Sequence, residues 1–137
     1  MELREDVLQN LLNQVVADNG AAWQIPLVVL GDELGLYKGL AEGGLQSSSE
    51  LAAQTGTAER YVREWLRAQA AAGYVSYDEA TDRYFLSNEQ AALFADETSP
   101  VFMVGGYQAI LAAGKSEPRV REAFRTGEGV AWGEHDH

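Results

Sequence analysis

The chain has 137 residues, no cysteine, and 21 acidic against 10 basic side chains, for a formal net charge of −11. These figures exclude a disulfide framework, a thiolate nucleophile and a cysteine-ligated zinc site, and apolar runs such as 91–95 and 109–113 fall far short of the roughly 20 residues needed to cross a bilayer. The acidic start "MELREDVLQN" lacks the basic flank and apolar core of a signal peptide, so a soluble cytoplasmic protein is expected, one whose charge opposes duplex DNA.

Leu3, Val7, Leu8, Leu11, Leu12, Val15 and Val16 recur at helical spacing and predict an amphipathic helix over residues 3–16. "DNG" at 18–20 should stop it, with Gly20 in the left-handed position after the last turn. Such a stripe packs either on its own core or on a partner subunit. A core of this size cannot readily cover seven aliphatics. A homodimer is therefore expected, with Leu3, Val7, Leu11 and Val15 in its interface and no membrane contact.

A second helix is expected from Ala21 to Leu40, starting or kinking at Pro26, with Leu27, Leu30, Leu34 and Tyr37 as its core face. Gly43 and Gly44 end it. In "SSSELAAQTGTAERYVREWLRAQAAAGYV", Ser47 and Glu50 have capping-box spacing, "TG" at 55–56 is a tight turn, and Thr57 can cap the next helix. On that helix Tyr61, Val62, Trp65, Leu66 and Ala70 make the apolar face, and Gly73 terminates it. Two short helices about a glycine turn form a helix-turn-helix. "YVSYDEATDRYFL" adds a β-hairpin, the wing.

Ser87 or Asn88 should cap a helix over "SNEQAALFADE". A further helix is expected from Ser99, with Pro100 at its first position, and a last short one precedes a glycine-rich tail. The fold class is mainly α with a small β-hairpin: a winged helix-turn-helix with extra N- and C-terminal helices. Its divisions are a dimerisation helix at 1–20, the winged unit at 21–98 and closing helices at 99–137.

Arg60, Arg63 and Arg67 share one face of the second helix of this helix-turn-helix, the position of a recognition helix. They suit a DNA-binding transcriptional regulator, reading the major groove. Against that, Glu59 and Glu64 stand one turn from Arg63 and Arg67, and segment 47–87 sets four arginines against six carboxylates. The shape is a DNA binder's and the charge is wrong for one.

The order "LGLYKGLAEGG…SSSELAAQTGTAERYVREWLRAQAAAGYV…DRYFLS" resembles the N-terminal winged-helix module of class I S-adenosylmethionine-dependent methyltransferases. It is similar to the O-methyltransferase type and to the bacterial group labelled methyltransferase or transcriptional regulator. "FRTGEGVAWGEHD" resembles the segment leading into the catalytic domain, which implies that residues 99–137 run toward a catalytic domain absent from this chain. The resemblance implies a module that dimerises and helps cover a small-molecule acceptor, with S-adenosylmethionine held by the full-length enzyme. No D/E-x-G-x-G turn follows a long apolar strand, so no cofactor and no catalysis are expected of this chain alone.

Phe102, Met103 and Tyr107 are expected on one helix, followed by Trp132 on the tail. They serve either as core or, as the resemblance implies, as an acceptor-pocket wall with a phenol and an indole donor. Glu134, His135, Asp136 and His137 have ligand chemistry, but a chain terminus gives them no second segment, and no metal site is expected.

Overall fold

Helix α1 spans Glu5–Ala22 and passes straight through the stop expected at 18–20. The Asn19 side chain donates to the Val15 carbonyl one turn back, at 2.8 Å, so it reinforces the helix instead of opening a turn. Gly20 stays helical. The computed structural model describes residues 1–135, and two members of the terminal cluster, Asp136 and His137, lie outside the described residues.

Helix α2 spans Gln24–Glu33 and α3 spans Leu36–Gly43, where one helix to Leu40 was expected. Pro26 falls in the first turn of α2, where its missing N–H has no intrahelical partner to lose. The break is Gly35, at φ +72°, a left-handed conformation that glycine adopts without steric cost. Resetting the helical phase there separates Tyr37 from the leucines of α2. Val28 and Val29 turn inward in their place, while Leu30 and Leu34 stay exposed.

Helices α4 (Ser48–Thr55) and α5 (Glu59–Ala71) make the helix-turn-helix. The capping box forms: the Ser47 hydroxyl accepts from the Glu50 N–H, and the Glu50 carboxylate accepts from the Ser47 N–H. Gly56, at φ +67°, makes the turn. Thr57 does not cap α5. Its hydroxyl pairs with that of Thr55 at 2.8 Å, and Ala58 takes the cap position with no side-chain bond. Val62, Trp65 and Leu66 are buried as expected, but Tyr61 points out, 78% exposed.

Strands β1 (Ser76–Asp78) and β2 (Arg83–Phe85) pair antiparallel with Tyr77 opposite Tyr84. Gln46 adds a bridge to Tyr84, which ties the wing to the start of α4. Helix α6 (Asn88–Phe94) carries a second capping box, Ser87 with Gln90. Helix α7 begins only at Val104 and runs Val104–Lys115; α8 spans Glu117–Thr126, and a 3-10 turn covers Trp132–Glu134. The helix expected from Ser99 fails because Asp96 organises turns instead. Its carboxylate accepts from the Thr98 N–H and hydroxyl, and its carbonyl accepts from the Ser99 N–H. Pro100 sits in those turns. Phe102 and Met103 therefore precede α7 and do not share a helix with Tyr107.

The core lies between α2, α3, α5 and α6. Tyr37 packs edge-on to Trp65 with centroids 5.0 Å apart and stacks on Phe94 at 5.1 Å. The Trp65 indole donates to the Leu27 carbonyl at 2.8 Å. Such close helix approach needs Gly31, where a Cβ would come within 2.4 Å of the Trp65 ring. Among the described residues no helix is long and apolar enough to cross a membrane.

Candidate functional site

The aromatic core continues outward to a pocket. Tyr74 follows α5, where its N–H donates to the Gln69 carbonyl at 2.9 Å, and its ring rests on Phe94 at 4.8 Å. Tyr107 approaches Phe94 from α7. The two phenols meet, 3.0 Å apart. Together with Met103, Ile110, Ile25 and the last turns of α1, they line a pocket of about 500 Å³. Asp18 stands in its wall.

Burial, then the hydrogen bond and proximity to Tyr74, push the Tyr107 phenol up to about 12. Burial raises Tyr37 still further. Tyr107 therefore stays neutral at physiological pH, a donor or acceptor in an otherwise apolar wall. Because the folded chain holds this proton more tightly than the unfolded one, Tyr107's contribution to stability is whole below about pH 10. It is lost as pH climbs through about 12. Phenolate absorbance followed to high alkali should show a late step near pH 12. Tyr107→Phe should remove that step, and an unchanged titration curve would contradict the assignment.

Of the four residues expected to wall a pocket, Met103 and Tyr107 come together here. Phe102 is half-buried and packs on the core. Trp132 is 87% exposed, beside His135 on the tail, and does not line the pocket. Tyr74 and the end of α1 were missed. Tyr74 read as the start of the wing, and no local period ties residues 18–25 to 103–110.

The three arginines of α5 face outward, and two are paired. Arg63 lies 3.7 Å from Glu59, and Arg67 lies 3.6 Å from Glu64. Glu59 also accepts from Ser48 at 2.9 Å. The wing arginine, Arg83, is bound to Glu50 at 2.7 Å, which leaves the wing turn with Asp78, Glu79 and Asp82.

Helix α1 has no buried residue. Leu3, Val7, Leu8, Leu11, Leu12, Val15 and Val16 are each 46–62% exposed. Packing on its own core, one of the two fates open to this stripe, does not occur.

The glycine-rich segments do not suit a nucleotide donor. Gly105 and Gly106 lie inside α7 and Gly127 ends α8; neither follows a strand. Among the described residues no group of three or more histidines and carboxylates gathers as a metal site.

Residues 22–96 match the Rv2258c-like winged HTH domain. Among solved structures the chain is similar to the mitomycin 7-O-methyltransferase MmcR, at 26% identity and TM-score 0.69, over 90% of this chain and 37% of that one. It is similar to RosA of Streptomyces davawensis, the N,N-8-amino-8-demethyl-D-riboflavin dimethyltransferase, at 26% identity and TM-score 0.64, over 88% and 34%. CalO1, a methyltransferase in calicheamicin biosynthesis with SAH bound, shares the fold at 23% identity and TM-score 0.63, over 95% and 37%. The chain spans little more than a third of these enzymes. No curated protein matches it.

Proposed function

The chain belongs to the Rv2258c-like winged HTH domain family, and from that premise we propose that it is the N-terminal module of an S-adenosylmethionine-dependent methyltransferase. It pairs with a second copy through α1, covers the acceptor, and transfers no methyl group by itself. The observation that carries this is the match to methyltransferases over nine-tenths of this chain and little over a third of theirs. The remaining two-thirds of such an enzyme would hold the donor, whose sulfonium carries the methyl group.

The pocket beside α7 is the module's share of the acceptor site. Its apolar wall, with Met103 and Ile110 and one phenol pair, fits a flat ring system carrying an oxygen that Tyr74 or Tyr107 can bond. Asp18 in the wall disfavours an anionic acceptor. Titration calorimetry of this chain with S-adenosylmethionine should register no binding, because its glycines build no strand-to-turn cradle for the donor. Micromolar binding would overturn the assignment of the donor site to another domain.

A DNA-reading role is the alternative, favoured by the outward stripe of Arg60, Arg63 and Arg67. The paired arginines and acidic wing argue against it. Phosphate contacts supply most non-specific affinity and show as salt dependence. In a fluorescence titration with duplex DNA at low salt, no salt-dependent binding is expected. Binding that weakens with salt, and weakens again in Arg63→Ala, would favour the regulator.

A further inference from the structure

The pocket beside α7 breaks its apolar character at one charged position. Asp18 is the one charged side chain in its lining. No arginine or lysine among the described residues forms an ion pair with it. Asp18, Ala21, Ala22 and Ile25 follow i, i+3, i+4, i+7 spacing, and Trp23 keeps helical backbone between α1 and α2. All four therefore lie along one face, and the carboxylate stands on a wall otherwise made of alanine and isoleucine.

Gly106 is a second irregularity in the same wall. It lies inside α7, where glycine is less favourable than alanine because it loses more freedom on folding. A Cβ there would meet no atom within 4 Å, and its φ is not left-handed. Neither packing within the chain nor backbone geometry calls for glycine at this position. Unlike Gly105 and Gly114 of the same helix, Gly106 lines this pocket. Its bare backbone leaves room for a flat group to approach α7 closely.

We propose that this pocket takes a flat aromatic cation, a fused ring system carrying a protonated nitrogen, with the nitrogen paired to Asp18 and the ring laid against Gly106. The inference rests on the acceptor site proposed above and names the charge class of its ligand. A neutral ligand covering Asp18 would strip water from a carboxylate that has no partner, which is costly. A cation supplies that partner. The aromatic lining suits positive charge too, because the faces of the Tyr74 and Tyr107 rings are electron-rich. Their hydroxyls stay available to a polar substituent on the ring. The chain's net charge of −11 attracts any cation, so the contribution of Asp18 has to be separated from that general field.

Two fluorescent dyes of one shape make the test: proflavine, a fused three-ring cation at neutral pH, and acridone, its neutral counterpart. Titrated into the full chain, proflavine should bind roughly tenfold more tightly, the combined effect of a partly exposed ion pair and a cation over aromatic rings. Asp18→Asn should weaken proflavine by roughly fivefold and leave acridone unchanged. Glu79→Gln, which removes an exposed carboxylate from the wing turn, should alter neither. Gly106→Leu should weaken both dyes by about tenfold or more while the helical circular dichroism persists, because its side chain enters the pocket. Equal affinity for the two dyes, or equal losses in Asp18→Asn and Glu79→Gln, would overturn the preference for a cation and leave the acceptor pocket standing. Binding of neither dye, or binding indifferent to Gly106→Leu, would overturn the pocket and the preference together.

Discussion

Tyr37→Ala should lower the free energy of unfolding by about 3–5 kcal/mol, the range for emptying a large aromatic site in a core. Tyr37 is 1% exposed and touches both Trp65 and Phe94. Its hydroxyl donates to Oε1 of Gln69, which is wholly buried. The other end of that amide donates to Gln24 Oε1 at 3.1 Å. Truncation therefore opens a cavity and takes away the donor that satisfies the Gln69 oxygen. An orphaned buried acceptor adds roughly 1–3 kcal/mol of its own.

Against a total stability of about 5–15 kcal/mol, such a loss brings a small domain close to unfolding at moderate temperature. Tyr37→Phe separates the contributions, since it keeps the ring and removes only the hydroxyl. It should cost about 1–3 kcal/mol. Urea unfolding of the wild type and both variants reads the difference. A Tyr37→Ala midpoint matching the wild type would mean that this aromatic cluster does not organise the core.

Much of the winged helix was legible because its signals are local. Ser47 with Glu50, "TG" at 55–56, and the polar turn between Tyr74 and Phe85 each specify backbone within a few residues. The errors share a different cause. Leu27, Leu30 and Leu34 have the spacing of a buried face, but only Leu27 packs against the core while Leu30 and Leu34 lie open; periodicity alone does not distinguish the two outcomes. Asn19 and Gly20 read as a stop, but the Asn19 side chain bonds back into the helix. Pro100 read as a helix start, but Asp96 captured the preceding turns.

The pocket was half legible. Met103 and Tyr107 belong to it, but their partners come from the end of α1 and from Tyr74, brought together only by tertiary packing on Phe94. Trp132 carried the same aromatic signal as Tyr107 without the same surroundings. The arginine stripe was legible in both respects. Its face and its carboxylate partners follow from helical spacing, and Arg63 and Arg67 are paired as that spacing implied.

Removing residues 1–19 should convert the protein from dimer to monomer while its helical signal persists. Burial of each large aliphatic is worth roughly 1.5–3 kcal/mol, and α1 presents seven of them with none covered by its own chain. Loss of that surface removes the principal drive to associate. The winged unit should survive, because its core of Val28, Tyr37, Leu51, Val62 and Leu66 includes no α1 side chain. Light scattering on the full chain and on the shortened one, at roughly tens of micromolar where an interface of standard size persists, tests the pairing directly. The full chain should show a mass twice its 14.9 kDa, and the shortened chain the mass of one copy. A full chain of 14.9 kDa under those conditions would contradict the dimerisation module at its root.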